Sequence, residues 1–208
     1  MNRDFGRVTA LVDGFNMYHA ISARHGWARY KWLNYWKLCA YSLPPSGQLQ
    51  KVLYFTAFYH HSGDEGLLRH QTYIRALNSV GVEAVYGKFK HRDRFCPLCK
   101  RGYVCREEKE TDVNIAVSLY RSALTGGLDT ALLVTADTDL LPAINAFKSD
   151  FPGKRLGVLF PPGRAPEDLK NVADFYMRIK ERHLQSCQFE NRLVLRDGTE
   201  LRRPATWA

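Results

Sequence analysis

No apolar run in this 208-residue sequence approaches the roughly 20 residues that a membrane-spanning helix requires. No membrane association is therefore expected. The opening stretch 1-MNRDFGRVTALVDGFN-16 lacks the form of a signal peptide, because its apolar run is short and an acid follows it. The expected location is the cytoplasm. Cysteine is sparse and odd in number: five residues without a secretion signal argue against a disulfide framework. There is no internal repeat and no low-complexity segment. Acid is scarcer than base, with 21 Asp and Glu against 30 Lys and Arg, a formal charge of +9. That excess favours a polyanionic partner such as RNA or DNA. It also makes informative any place where the few acids gather.

What is present is an ordinary globular composition, 45% hydrophobic, in a length that suits one domain. Residues 8-VTALV-12, 51-KVLYFTAF-58, 82-VEAVYGKF-89, 130-TALLV-134 and 155-RLGVLF-160 read as buried strands, with a further short strand near 175-FYMRI-179. Helical periods fall between them, over 17–40 with an interruption near Gly26, over 65–80, 112–124, 140–148 and 166–173. Strand-helix alternation at this spacing predicts an α/β fold, a parallel sheet with helices on both faces. Residues 90–106 are basic, cysteine-bearing and aperiodic, and are expected to be an insertion. The domain is expected to span 1–185. The tail 186–208 carries Asp197-Gly198 between extended runs, a hairpin signal.

The stretch 131-ALLVTADTDLLPAI-144 places two carboxylates where a buried strand becomes a helix. Asp139 is expected to cap a helix starting at Leu140, with Pro142 in its first turn. That leaves Asp137 unexplained. Ligands in parallel sheets bind beyond the carboxyl ends of the strands, and there Asp13 ends the first strand as Asp137 and Asp139 end the fourth. Asp112 opens the 112–124 helix on the side that continues through Ile115, Ala116 and Leu119. Four acids at strand ends and a helix start point to one site. No histidine accompanies them at a zinc-like spacing, and carboxylates alone suit a hard cation, Mg²⁺ or Mn²⁺. One or two such ions, held by Asp13, Asp112, Asp137 and Asp139, would activate water against a phosphodiester.

The set 12-VDGFN-16, 108-EKETDVNIAVSLY-120 and 134-VTADTDLLPAI-144 resembles the NYN domain, a family of the PIN-like nuclease superfamily; 84-AVYGKFK-90 and 198-GTELRRPATW-207 fit bacterial members. The resemblance implies a three-layer α/β/α, Rossmann-like PIN fold with a mainly parallel sheet, and a metal-dependent ribonuclease. It assigns the four Asp to metal. It makes Asn16 the residue that orients the first acid or a phosphate, and Thr135, which retains a serine hydroxyl of relatives, a substrate contact. This chain departs from the family at Ala136 and Glu110, where relatives commonly have Gly. Two other readings stand beside the ribonuclease: a catalytically silent RNA-binding or regulatory module of the same fold, and a nuclease acting on DNA.

Two secondary groups complete the expectations. Cys96, Cys99 and Cys105, with His91 as nearest fourth ligand and His60 or His61 as alternatives, could form a structural zinc site around the tight Cys-Pro-Leu-Cys turn. The other reading is a basic loop with free thiols. Lys88, Lys90, Arg92, Arg94, Lys100, Arg101 and Arg106, interleaved with Phe89, Phe95 and Tyr103, suit single-stranded nucleic acid. Lys109, beside the acids, is expected to touch a phosphate. The aromatics of 27-WARYKWLNYW-36 are assigned to the core or an interface, and Cys39 and Cys187 to buried positions. His19 has no assigned partner, and 161-PPGR-164 does not read as a phosphate loop. No organic cofactor is implied, and a homo-oligomer is compatible with the sequence.

Overall fold

Successive side chains of a strand face opposite ways. In 8-VTALV-12 both faces are apolar: Val8, Ala10 and Val12 pack in one core cluster and Leu11 in another. A strand buried on both faces belongs inside a three-layer fold. The computed structural model describes residues 4–58 and 65–207, with the side chains of His91, Val104, Cys105 and Arg106 outside that description.

The first half holds β1 (Gly6–Asp13), α1 (Gly14–Ser22), a 3-10 turn (Ala28–Lys31), α2 (Tyr35–Tyr41), β2 (Gly47–Thr56), α3 (Glu65–Ser79) and β3 (Val82–Tyr86). A hairpin of β4 (Lys88–Phe95) and β5 (Gly102–Lys109) follows. The second half holds α4 (Thr111–Leu124), β6 (Thr130–Val134), a 3-10 turn (Thr138–Leu140), α5 (Leu141–Asp150), β7 (Arg155–Phe160), α6 (Glu167–Val172), β8 (Phe175–Arg178) and α7 (Glu181–Ser186). The short strands β9 (Arg192–Val194) and β10 (Glu200–Arg202) form the tail hairpin.

The central sheet has six strands in the order β3-β2-β1-β6-β7-β8, every pair parallel. Buried residues of α1, α2, α3 and α7 join the cluster on one face, and those of α4, α5 and α6 the cluster on the other. Chain order runs outward from β1 in one direction and from β6 in the other. The crevice between them is the topological switch point, where such sheets bind ligands.

Three local outcomes differ from the sequence reading. The 17–40 helical region, expected to be interrupted near Gly26, is broken over a longer stretch: α1 ends at Ser22, before Gly26 at φ +76, and Asn34 starts α2 by accepting from the Lys37 amide. Residues 90–106 are not aperiodic loop but the β4/β5 hairpin. A two-stranded ribbon has no core to face, so it carries no apolar period. Its partners are charged instead: Glu107 lies against Arg92, Arg94 and Lys109. The tail packs into the main body, with Phe189, Leu201 and Trp207 in the same cluster as Trp32 and Tyr73. Of the 27–36 aromatics, Tyr30, Trp32 and Tyr35 are core, Trp27 and Trp36 pack against it partly buried, and the Trp32 indole N–H donates to the Glu190 carbonyl. No helix among the described residues is long and apolar enough to cross a membrane.

Candidate metal centre

Asp13 is the last residue of β1 and the N-cap of α1, where its Oδ1 accepts from the Asn16 amide at 2.9 Å. Asp is a favoured cap because a helix start leaves amides without partners. Here the cap is also buried, at 5% exposure. Thr135 Oγ1, at the end of β6, donates to Asp13 Oδ2 at 3.0 Å and accepts from the Asp137 amide at 3.1 Å. Asn16 Oδ1 accepts from the Ala136 amide at 3.0 Å. Asn16 and Thr135 thus tie the ends of the two central strands together. Thr135 is only 1% exposed and committed to these bonds, so it positions Asp13 from below rather than facing solvent.

Asp137 caps the 3-10 turn by accepting from the Asp139 amide at 3.0 Å. The capping carboxylate is therefore Asp137, and Asp139 does not have the role the sequence suggested. The helix α5 begins one turn later, at Leu141, with Pro142 in its first turn. Ala136 keeps a negative φ, so this loop needs no glycine.

Carboxylate oxygens of Asp13, Asp112 and Asp137 all lie within 4.8 Å of one another. Asp13 is buried, Asp137 half-buried and Asp112 exposed. Asp139 stays outside this trio, though its charge raises the pKa of Asp112 after burial and Asp137 have done so. Burial pushes the Asp13 carboxyl from its ordinary 3.8 up to about 6, with Asp112 and Asp137 adding to the rise. The donor set is all oxygen and carries net negative charge. Such a set fits a hard divalent cation, Mg²⁺ or Mn²⁺, which would offset the repulsion these acids otherwise bear.

A fourth acid was missed. Glu108, on β5, lines the same cleft, half-buried, and burial pushes its pKa up to about 6 with help from Asp13 and Asp112. Nothing in its sequence spacing marks it, because the β4/β5 hairpin alone brings it over the sheet edge. Glu110 is different. It sits at φ +78 and its carboxylate meets Lys88. A left-handed backbone explains why glycine suits this position in relatives.

The cleft has a volume of ≈ 600 Å³. Its rim carries Arg24, His19 and the 161-PPGR-164 turn with Arg164, none of which the sequence reading had placed. Lys90, Arg92 and Lys109 lie on the neighbouring hairpin, and Arg92 and Lys109 are engaged by Glu107. Beside the cleft, sharing Phe15 with it, is a second cavity of ≈ 190 Å³ walled by Tyr18, Tyr35, Tyr54, Tyr73 and Trp207. Lys31, which lies over the Tyr18 ring, and Arg69 reach it. His70 also lines it, and burial lowers its pKa to about 4, so the ring is neutral.

Of the expected cysteine site, the structure describes the side chains of Cys96 and Cys99. Cys96 and Cys99 share the turn between β4 and β5. Register pairs Cys105 with Arg92 and His91 with Arg106, down the ribbon. Cys96 donates its amide to the Arg101 carbonyl, and Cys105 lies four residues beyond Arg101. At about 3.4 Å per residue this is roughly 14 Å of strand. The side chains of Cys105 and His91 lie outside the described residues. His60 and His61 lie outside the described residues.

A sequence profile of the NYN domain matches residues 7–180. The chain is 25% identical to 6-hydroxy-3-succinoylpyridine 3-monooxygenase HspA of Pseudomonas putida, covering 97% of this chain and 75% of that protein. A crystal structure of a protein of unknown function from Vibrio parahaemolyticus superposes with a TM-score of 0.59 at 18% identity, over 87% of this chain and 97% of the other. That likeness carries the fold, which is PIN-like.

Proposed function

As this chain belongs to the NYN domain family, a family of nucleases, we propose that it is a metal-dependent ribonuclease that hydrolyses RNA phosphodiester bonds. The observation that carries the reading is the convergence of Asp13, Asp112 and Asp137 within 4.8 Å at the switch point of the sheet. These three would hold Mg²⁺ or Mn²⁺, with Asp139 at the rim. When bound, the ion supplies a water of lowered pKa and charge stabilisation at the phosphoryl group.

The chain's own residues do the rest. Thr135 and the Asn16 amide fix both oxygens of Asp13, so this ligand is held before metal arrives. Arg24 and Arg164 offer charge-assisted hydrogen bonds to phosphate oxygens at the cleft rim. Lys90, Arg92 and Lys109 extend the positive track along the hairpin, where a single strand would follow with phosphates toward cations and bases toward rings. The basic excess and the acid cleft are thus one device, base for the polymer and acid for the ion.

The test is cleavage of labelled single-stranded RNA and matched DNA by wild type and Asp137→Asn, with Mn²⁺, Mg²⁺ or EDTA. Asn still caps a helix turn, so the variant keeps the fold. The expected result is RNA cleavage that needs metal and falls in the variant to the EDTA level. DNA cleavage alone would move the substrate, and RNA binding without turnover would leave a binding module. Full activity in Asp137→Asn would remove the site assignment.

A second reading rests on the aromatic cavity. The Pseudomonas relative is named for a reaction on a hydroxylated pyridine, and a tyrosine-walled cavity with Lys31 and Arg69 suits a flat ring bearing a carboxylate. Turnover of that pyridine that needs both oxygen and an added two-electron donor, by a preparation inert toward RNA, would favour it.

A further inference from the structure

We propose that Cys96 and Cys99 form half of a zinc site that the same two cysteines of a second copy of this chain complete. The inference is independent of the ribonuclease reading.

The turn has the build of a metal knuckle. The Lys100 amide returns to the Cys96 carbonyl at 2.9 Å, and Lys100 adopts φ +56, which folds the chain back after the second cysteine. Cys96 and Cys99 thus sit together on one tight turn before any metal binds.

A closed structural zinc site takes four ligands. Among the described residues no third His, Cys, Asp or Glu completes a group with these two. The register moves Cys105 away along the ribbon. What is missing is a second pair, and an identical knuckle supplies it with the right chemistry and number.

The surroundings point to the same partner. Phe95 is 74% exposed and Leu98 is 93% exposed, large apolar side chains at the outermost turn of a charged ribbon. Two tips meeting at a shared ion would cover both. The basic charges would not prevent it, because zinc with four thiolates carries a net charge of −2, which Lys100 and Arg101 on each copy offset. The ribbon pairs only with itself and not with the central sheet, so two tips can meet without disturbing either core. Because β5 runs straight into α4, the junction would also fix the hairpin that carries Glu108 and Lys109 over the acid cleft.

The test uses the full chain, reduced and freed of metal, carrying Asp112→Asn so that the carboxylate site does not compete. Zn²⁺, and Co²⁺ as a spectroscopic substitute, are titrated while light scattering reports molar mass. The expected result is a thiolate-to-cobalt charge-transfer band that saturates at half an equivalent of ion per chain, as four ligands from two chains require. The mass should double with it and return to that of one chain on adding EDTA. Cys96→Ser and Cys99→Ser should each abolish band and doubling while circular dichroism is unchanged, since both lie outside the cores. A sulfur-bound ion at one equivalent on a monomer would overturn the proposal. So would doubling that survives both substitutions, or a reduced protein that shows no sulfur ligation.

Discussion

Asp13 does two jobs whose demands conflict. As a cap and a strand terminus it belongs inside, and in the proposed role of metal ligand it would have to be charged. The conflict appears in its carboxyl, which burial holds at about 6. The sign of the consequence is fixed. A pKa raised on folding gives a contribution that is full below the unfolded value near 3.8 and is lost as pH rises through about 6. Metal-free wild type should therefore lose stability relative to Asp13→Asn between about pH 4 and pH 7, by about 1–3 kcal/mol at the upper end. Urea denaturation of both proteins across that range checks it, and Mn²⁺ at neutral pH should restore wild type but not the variant. A flat difference would mean that Asp13 is as well solvated as a surface acid. At this scale the sequence was informative where a residue's role followed from its own position on a strand end or helix start, as for Asp13, Asp112 and Asp137. Glu108, His19, Arg24 and Arg164 were not legible, because each reaches the cleft through the placement of a hairpin, a helix flank or a turn that no local pattern encodes.

Among the elements, the inner strands β1, β6 and β7 announced themselves because burial on both faces leaves continuous apolar runs. The hairpin did not, since ionic pairs tie its strands and it meets the body at its base, where Phe89 packs edge-on against Phe15. The edge strand β8 shows a third case, in which one missing side chain makes room for a neighbour. Gly157 on β7 pairs with Phe175 on β8, and a Cβ at Gly157 would overlap the Phe175 ring. That ring also meets Phe5 edge-on, with centroids 4.7 Å apart. Gly157→Ala should therefore push the ring off the sheet and destabilise the protein by about 1–3 kcal/mol, the cost of an overpacked core position. Chemical denaturation measures the cost. A companion Phe175→Leu should recover part of it, which distinguishes steric overlap from any backbone effect of alanine in a strand.

For the whole molecule, the sheet's two halves are wound from two halves of the chain. The strands β1, β2 and β3 precede the hairpin and β6, β7 and β8 follow it, and the halves meet along the β1–β6 ladder from Val8 paired with Thr130 to Val12 paired with Val134. The covalent link between them is the β4/β5 ribbon, whose outer turn belongs to neither core. Asp13 comes from one half and Asp112 and Asp137 from the other. Neither half holds the whole acid cluster. Cut at the knuckle and expressed as separate pieces, the protein becomes a reporter of its own assembly. Each fragment alone should be silent toward RNA, and metal-dependent cleavage should appear only on mixing, rising with fragment concentration along the curve of a binding isotherm. If the proposed ribonuclease holds, a site that straddles a seam in this way makes cleavage a readout of association, and fusing the two fragments to unrelated proteins would turn an encounter between those proteins into severed RNA.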